Sequence, residues 1–301
     1  MQRQREGDEV PGVKRSGKLA GVAAVVGLAA TGCSWSDLPR FGWPTGITPQ
    51  ADRMLHLWEV SCLAALAVGA IVWGLIFWVV AFHRKKNDDL PRQFKYNLPL
   101  ELFYTGVPVI IVAVLFYFTA ITENFVNDES KKPDVTVTAV AFKWNWAFEY
   151  NNVQNPATKQ PVDTVGSSSD IPILVLPVDK VIRIDEHSND VIHSFWVPKL
   201  LFKRDEIPGL NNSFQITITQ RGAFVGRCAE LCGTYHSAMN FELRSVSFPD
   251  YQKYLQILTR YQPGDPQYNN RQAVALAAIG LPTHAVTTHP LPSERTERKA
   301  G

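Results

Sequence analysis

Sulfur is scarce in this 301-residue chain, which has four cysteines and three methionines, the latter being Met1, Met54 and Met239. With so few, a methionine beside two cysteines is not packing filler. No segment repeats, no Gly-rich phosphate loop occurs, and there is no Cys-x-x-Cys-His haem-attachment motif, which excludes a covalently fused cytochrome. Net charge is only +2, with no basic patch to point towards nucleic acid. Apolar residues make up 46% of the chain, ample for a core, and the length accommodates two modest domains.

The scarce sulfur is concentrated. Cys228-Ala-Glu-Leu-Cys232-Gly-Thr-Tyr-His236-Ser-Ala-Met239 packs two thiols, an imidazole and a thioether into twelve residues. A second imidazole, His193, stands 35 positions before Cys228 in Asp190-Val-Ile-His193-Ser-Phe-Trp-Val-Pro198. Three readings compete. A Cys228–Cys232 disulfide suits an oxidising compartment but needs neither His236 nor Met239. Zinc takes cysteine, histidine and carboxylate, and methionine is foreign to its usual sets. Copper takes soft sulfur together with imidazole and fits the whole cluster best. Gly226 and Gly233 oppose a helix here, which predicts a ligand loop between strands at Phe214 to Thr219 and Phe241 to Ser247.

Long apolar runs lie upstream. Val60 to Phe82 is 23 residues without a charge and Leu102 to Thr122 is 21, each long enough for a hydrocarbon core of about 30 Å. These predict transmembrane helices over 55–83 and 99–123. The connecting 84–98 holds Arg84, Lys85, Lys86, Arg92 and Lys95, which by the positive-inside rule makes it a cytoplasmic loop. Residues 33–54 and everything after Thr122 then face the extracytoplasmic side of the membrane. At the amino end, Lys14, Arg15 and Lys18 precede an apolar Leu19 to Ala30 segment too short to span, which reads as a signal peptide over 1–32. Leu28-Ala-Ala-Thr-Gly-Cys33 resembles a lipoprotein cleavage site with Cys33 as the lipidated residue. Ordinary cleavage nearby, or retention as a third helix, are the alternatives.

From Pro133 the pattern turns to period two. Strands are predicted at Asp134 to Val140, Ile171 to Leu176, Val181 to Asp185, Val191 to Val197, Ser213 to Thr219 and Asn240 to Val246, an antiparallel sandwich or barrel over 131–262. Asn151 to Asp170, polar and serine-rich, reads as a loop or insertion that docks a partner subunit. Tyr251 to Tyr261 and Arg271 to Ile279 read as short helices, and 263–301 as a C-terminal segment whose last residues form a solvated tail.

Three motifs together carry a family resemblance over about Leu55 to Tyr261. They are Asp190 to Pro198 followed by Asp205-Glu-Ile-Pro-Gly209 and the cysteine cluster; Phe142-Lys-Trp144-Asn-Trp146-Ala-Phe-Glu-Tyr150; and Leu98-Pro-Leu-Glu101-Leu-Phe-Tyr-Thr-Gly-Val-Pro108. In this combination the chain resembles subunit II of the haem-copper cytochrome c oxidases, in a bacterial, actinobacterial-like form. The resemblance implies a membrane α hairpin carrying a cupredoxin-like Greek-key barrel with a dinuclear copper A centre. In that family pattern Cys228 and Cys232 bridge the coppers, His193 and His236 each bind one, and Met239 and the Glu230 backbone carbonyl complete the set.

The same resemblance gives the Glu230 carboxylate a magnesium ion at the contact with subunit I, and makes Trp144 the residue through which electrons arrive. Asn145 departs from the family's usual tyrosine beside it. Glu101 becomes the mouth of a proton-uptake path, against the plainer reading of a helix-start carboxylate favoured by the dipole. Implied partners are subunits I and III, a cytochrome c, soluble or membrane-bound, and a supercomplex with a cytochrome bc complex. Haem belongs to subunit I alone, since His56 and His83 lie at the ends of the first span and no histidine lies within one. A quinol-oxidase subunit II lacks the copper ligands present here; a copper chaperone or a disulfide-held structural domain would need neither Trp144 nor Glu101.

Overall fold

The computed structural model describes residues 40–88, 90, 93–167 and 169–289. The chain divides into a unit Met1–Gly42 and a unit Trp43–Gly301, and the second holds every element below. The Cys33 site and the signal segment lie outside the described residues.

Two long helices come first, α1 (Pro49–Phe82) and α2 (Leu98–Val126). Each starts where the sequence supplies a cap. Thr48 Oγ1 accepts the Ala51 N–H at 3.0 Å and Asn97 Oδ1 accepts that of Leu100 at 3.3 Å, with a proline in each first turn. At about 1.5 Å per residue both exceed the hydrocarbon thickness. Their apolar side chains are exposed all round, as at Trp73, Phe77 and Phe116. A core helix of a soluble protein would bury such residues; here they face lipid or partner helices.

The β domain is a sandwich of two five-stranded sheets. The first contains β1 (Val135–Phe142), β2 (Asn145–Gln154), β3 (Pro161–Val165), β5 (Ile182–Ser188) and β8 (Asn212–Ile216), in the order β3-β2-β1-β5-β8. The second contains β4 (Ile173–Pro177), β6 (His193–Val197), β7 (Phe202–Glu206), β9 (Gly222–Cys228) and β10 (Asn240–Val246), in the order β4-β10-β9-β6-β7. β1 and β5 run parallel, as do β4 and β10, and the remaining pairs are antiparallel, which gives the crossed connections of a cupredoxin-like Greek key. Alternation decides the faces: Val135, Val137, Ala139 and Ala141 of β1 are buried between partly exposed neighbours.

Between the sheets Trp146, Phe195 and Phe241 pack ring against ring, with centroids 4.8 to 6.0 Å apart. Each buried ring contributes about 1.5–3 kcal/mol. Gly226 makes this packing possible, because a Cβ there would lie 2.2 Å from the Phe241 ring. Its role is close approach within a strand.

Two expectations are corrected. Residues 151–170 are not a long loop: β2 continues through Gln154 and returns as β3, antiparallel to it. The metal loop is not flanked by the Phe214 to Thr219 strand; β9, which the periodicity did not mark, leads into it. After β10, α3 (Phe248–Leu258) and α4 (Arg271–Ala278) fold back on the domain, burying Tyr254 and Leu276. Residues 282–287 are held on β10 by Arg244 and Glu242.

The hairpin is fastened to the sandwich at both helices. Before α1, the Ile47 N–H donates to Lys199 O at 3.1 Å and the Thr219 N–H to Ile47 O at 2.9 Å. After α2, Arg204 donates to Asn127 at 2.6 Å and Arg183 to Glu129 at 2.8 Å.

Candidate metal centre

Strand register brings the distant histidine to the cysteines. His193 opens β6 and Cys228 closes β9, and the two strands pair with Phe195 opposite Cys228. The loop between β9 and β10 is pinned at its ends: the Cys228 N–H donates to Met239 O at 3.0 Å, and the Ala229 N–H to Ser194 O at 3.0 Å. A short turn, His236–Ala238, then returns His236 and Met239 towards the thiols.

The donor atoms lie in contact. Cys228 Sγ and Cys232 Sγ are 3.8 Å apart, and both thiols are free. His193 Nδ1 lies 3.8 Å from Cys228 Sγ, and His236 Nδ1 lies 3.5 Å from Cys232 Sγ. Met239 Sδ is 3.8 Å from Cys232 Sγ, and the Glu230 carbonyl oxygen is 3.2 Å from Cys228 Sγ. The ligand atoms of His193, Cys228 and Cys232 all fall within 4.8 Å of one another. His193, Met239 and both cysteines are buried. Six soft or neutral donors gathered in contact suit a soft cation, and the two thiols at their centre are placed to share it.

Charge at the site is set by its neighbours. Burial opposes ionisation of Cys228, but hydrogen bonds from His193 and the nearby backbone outweigh it and bring the thiol down to about 7. Burial, and then the charge on Cys228, push the Cys232 thiol up to about 12. One thiolate is thus favoured and the second resisted until a cation compensates it. Burial works against a charged His193, but bonds to Cys228 and Asp190 raise its pKa above the ordinary value.

Asp190 was not singled out from the sequence. Its Oδ1 lies 2.8 Å from His193 Nε2, and its two oxygens also accept the N–H groups of Val191 and Lys143, each at 2.7 Å. This fixes the ring with Nδ1 towards the sulfur, as carboxylates behind ligand histidines do. The signal was present three residues before His193.

Trp144 is at the site. Its Nε1–H donates to Cys232 O at 3.2 Å. The Glu230 side chain is half-exposed, with its Oε2 3.9 Å from Lys203 Nζ. Glu101 is remote, at the far end of α2, roughly 38 Å along the helix from Val126 at about 1.5 Å per residue. There its Oε1 accepts the Asn97 N–H at 3.1 Å, a reciprocal cap of the helix start.

Residues 135–246 match the family model described as cytochrome c oxidase subunit II, periplasmic domain. Cytochrome c oxidase subunit 2 of Mycobacterium bovis is 44% identical over 332 aligned positions, covering 93% of this chain and 89% of the relative. That of Corynebacterium glutamicum is 38% identical over 351, covering 96% of each. The solved periplasmic domain of subunit II of the Bradyrhizobium japonicum cytochrome oxidase is 29% identical, covers 43% of this chain and 96% of its own, and has a TM-score of 0.37. With relatives of this identity along nearly its whole length, two apolar helices and a sulfur-rich pocket in a cupredoxin-like sandwich, the chain belongs to the cytochrome c oxidase subunit 2 family.

Proposed function

We propose that this subunit accepts electrons from cytochrome c at a dinuclear copper A centre and passes them to haem a of subunit I, where oxygen is reduced and protons are pumped. The observation that carries the reading is the donor arrangement: two free thiols at its centre, with an imidazole beside each, and Met239 and the Glu230 carbonyl at the two ends. Cys228, Cys232, His193, His236, Met239 and the Glu230 carbonyl would hold the metal. When bound, paired copper supplies a one-electron store whose charge is spread over two ions.

The chain's own residues prepare that site. The Cys228 thiol is eased towards ionisation before metal arrives, and the Cys232 proton leaves on binding, so metal uptake releases protons. Asp190 holds the His193 tautomer. Burial of His193, Met239 and both cysteines keeps water from that side of the site and holds its electrostatic surroundings steadier as charge changes. Trp144, bonded to the Cys232 carbonyl, is the group through which electrons arrive. The Glu230 carboxylate is half-exposed and offers oxygen, the donor magnesium prefers, for an ion shared with subunit I.

In this reading α1 and α2 span the bacterial plasma membrane, the loop at 84–98 is cytoplasmic and the sandwich is extracytoplasmic. Glu101 then sits at the cytoplasmic side, as the mouth of a proton-uptake path in addition to its capping role. Subunit III and a cytochrome c, either soluble or held in a supercomplex with a cytochrome bc complex, complete the assembly.

The test is metal content with electron paramagnetic resonance on the full chain purified in detergent and supplied with copper. Two coppers per chain sharing one unpaired electron are expected, with both lost in Cys232→Ser. A chain that takes up zinc but no copper, or isolates with a Cys228–Cys232 disulfide, would overturn the proposal.

A further inference from the structure

Trp144 is held on three sides, and one of the three is a residue to which neither the family motif nor the donor set gives a role. The indole Nε1–H donates to Cys232 O. Gly233, at φ +120°, lies against the ring so closely that a Cβ would sit 3.3 Å from Cζ2 and Nε1. The third side is Tyr235, whose ring meets the indole edge to face, with centroids 4.9 Å apart and planes at 79°. Asn145, next to Trp144 in sequence, contributes no ring; its side chain turns away to donate to Ser167 O at 2.8 Å.

We propose that Tyr235 is a positioning residue for electron transfer, clamping the Trp144 indole so that its hydrogen bond to Cys232 persists. The inference deepens the function proposed above and rests on it. The transfer it serves moves one electron from a ferrous cytochrome haem, which becomes ferric, to the metal pair; no bond is made or broken and no proton moves. Tunnelling weakens steeply across gaps and is carried better by bonds. From the indole, the Nε1–H···O=C bond leads into Cys232, and Cys232's own Cα and Cβ lead to its sulfur.

That route exists only while the indole keeps this orientation. Trp144 is part-exposed and its hydrogen bond competes with water. An edge-to-face neighbour restricts rotation of the ring and shields the bond. Tyr235 directly precedes His236, so the clamp and one imidazole share a single turn. At 40% exposure, Tyr235 is not a core residue whose loss would collapse the domain.

The experiment labels the detergent-solubilised full chain with fluorotryptophan, without copper, and follows the Trp144 fluorine resonance, identified by its absence in Trp144→Phe. Tyr235→Ala should move and broaden that resonance, and Tyr235→Phe should leave it close to wild type, because the ring and not the hydroxyl makes the contact. In the assembled oxidase, flash-initiated electron arrival from cytochrome c should slow roughly 2- to 10-fold in Tyr235→Ala, the range that loss of one aromatic contact supports. Tyr235→Phe should restore the rate, with copper content equal in all three proteins. An unmoved Trp144 resonance in Tyr235→Ala, or a Phe variant as slow as the Ala variant, would overturn the clamp. Failure of the underlying function would look different: the wild-type chain would take up no copper while its indole signal remained readable.

Discussion

Glu242 on β10 and Glu186 on β5 are both buried in the one sandwich, yet their carboxyl groups meet opposite surroundings. Glu242 is fully partnered. Arg244 Nε donates to one oxygen at 2.7 Å, and the Val286 N–H, Thr287 N–H and Thr287 hydroxyl donate to the other at 2.6 to 2.7 Å. Burial alone would raise its pKa, but the bonds from Thr287 and Arg244 hold it below the ordinary carboxylate value. Among the described residues, Glu186 has no hydrogen-bond partner on either oxygen, and the same is true of Glu206, which lies beside His193 in the β6–β7 ladder. Burial pushes Glu186 up to about 9, and Arg204 offsets only part of that. Glu206 is raised well above its ordinary value by burial, then by Glu186 and Cys228. Depth does not fix the charge of a buried acid; the donors that reach it do.

Removing the partner from the satisfied site should produce the largest change. Arg244→Ala leaves the Glu242 carboxylate buried without its cation and frees the carbonyls of Pro282 and His284. A loss of about 3–5 kcal/mol is expected in denaturant unfolding of the copper-free chain. Residues 282–287 should also become open to proteolysis. A variant that unfolds with wild-type stability would mean that the pair contributes nothing net.

The unsatisfied site should respond in the other direction. Glu206→Leu removes a buried carboxyl group that has no donor, and near pH 8 it should stabilise the copper-free protein by about 1–3 kcal/mol. Any loss of stability would indicate a partner for Glu206 that its surroundings do not supply.

Acid and alkali then separate the two kinds of site. Above the ordinary value of 4.5, an unfolded Glu186 releases its proton while the folded one keeps it up to about 9. Stability should therefore fall as pH rises through that window, and Glu186→Gln should flatten the slope in urea titrations. Glu242 has the opposite sign: its contribution is present above 4.5 and is lost as pH falls through its lowered folded value.

Exposed polar groups set the lower end of the scale. Asn97→Ala, which removes the α2 cap, should cost about 1 kcal/mol. Lys85→Ala breaks only a surface pair with Asp88, at 2.6 Å, and should change stability by under about 0.5 kcal/mol in the same assay.

What was legible in the sequence was local or compositional. Charge-free length marked α1 and α2, and alternation marked β1, β4, β5, β6, β8 and β10 to within a few residues. The strands that escaped had a mixed signal. β2 mixes Trp146 and Phe148 with Asn151 and Asn152, β7 is the charged Phe202-Lys-Arg-Asp-Glu206, and β9 carries two glycines. The donor cluster was visible because five of its six members fall within twelve residues. Asp190 stood in plain view three residues before His193, but only the fold sets it on the ring, and Tyr235 carried no signal because its role depends on what stands opposite it.

By itself, then, the sequence determined a pair of apolar helices, an alternating β domain and a soft-donor loop, because hydrophobic length, period and ligand type are properties of neighbouring residues. Only the tertiary structure decided that His193 meets Cys228, that Tyr235 lies against Trp144, and that Glu242 finds donors where Glu186 finds none. Those contacts join residues tens of positions apart, and strand pairing and register select which side chains face each other across the sandwich.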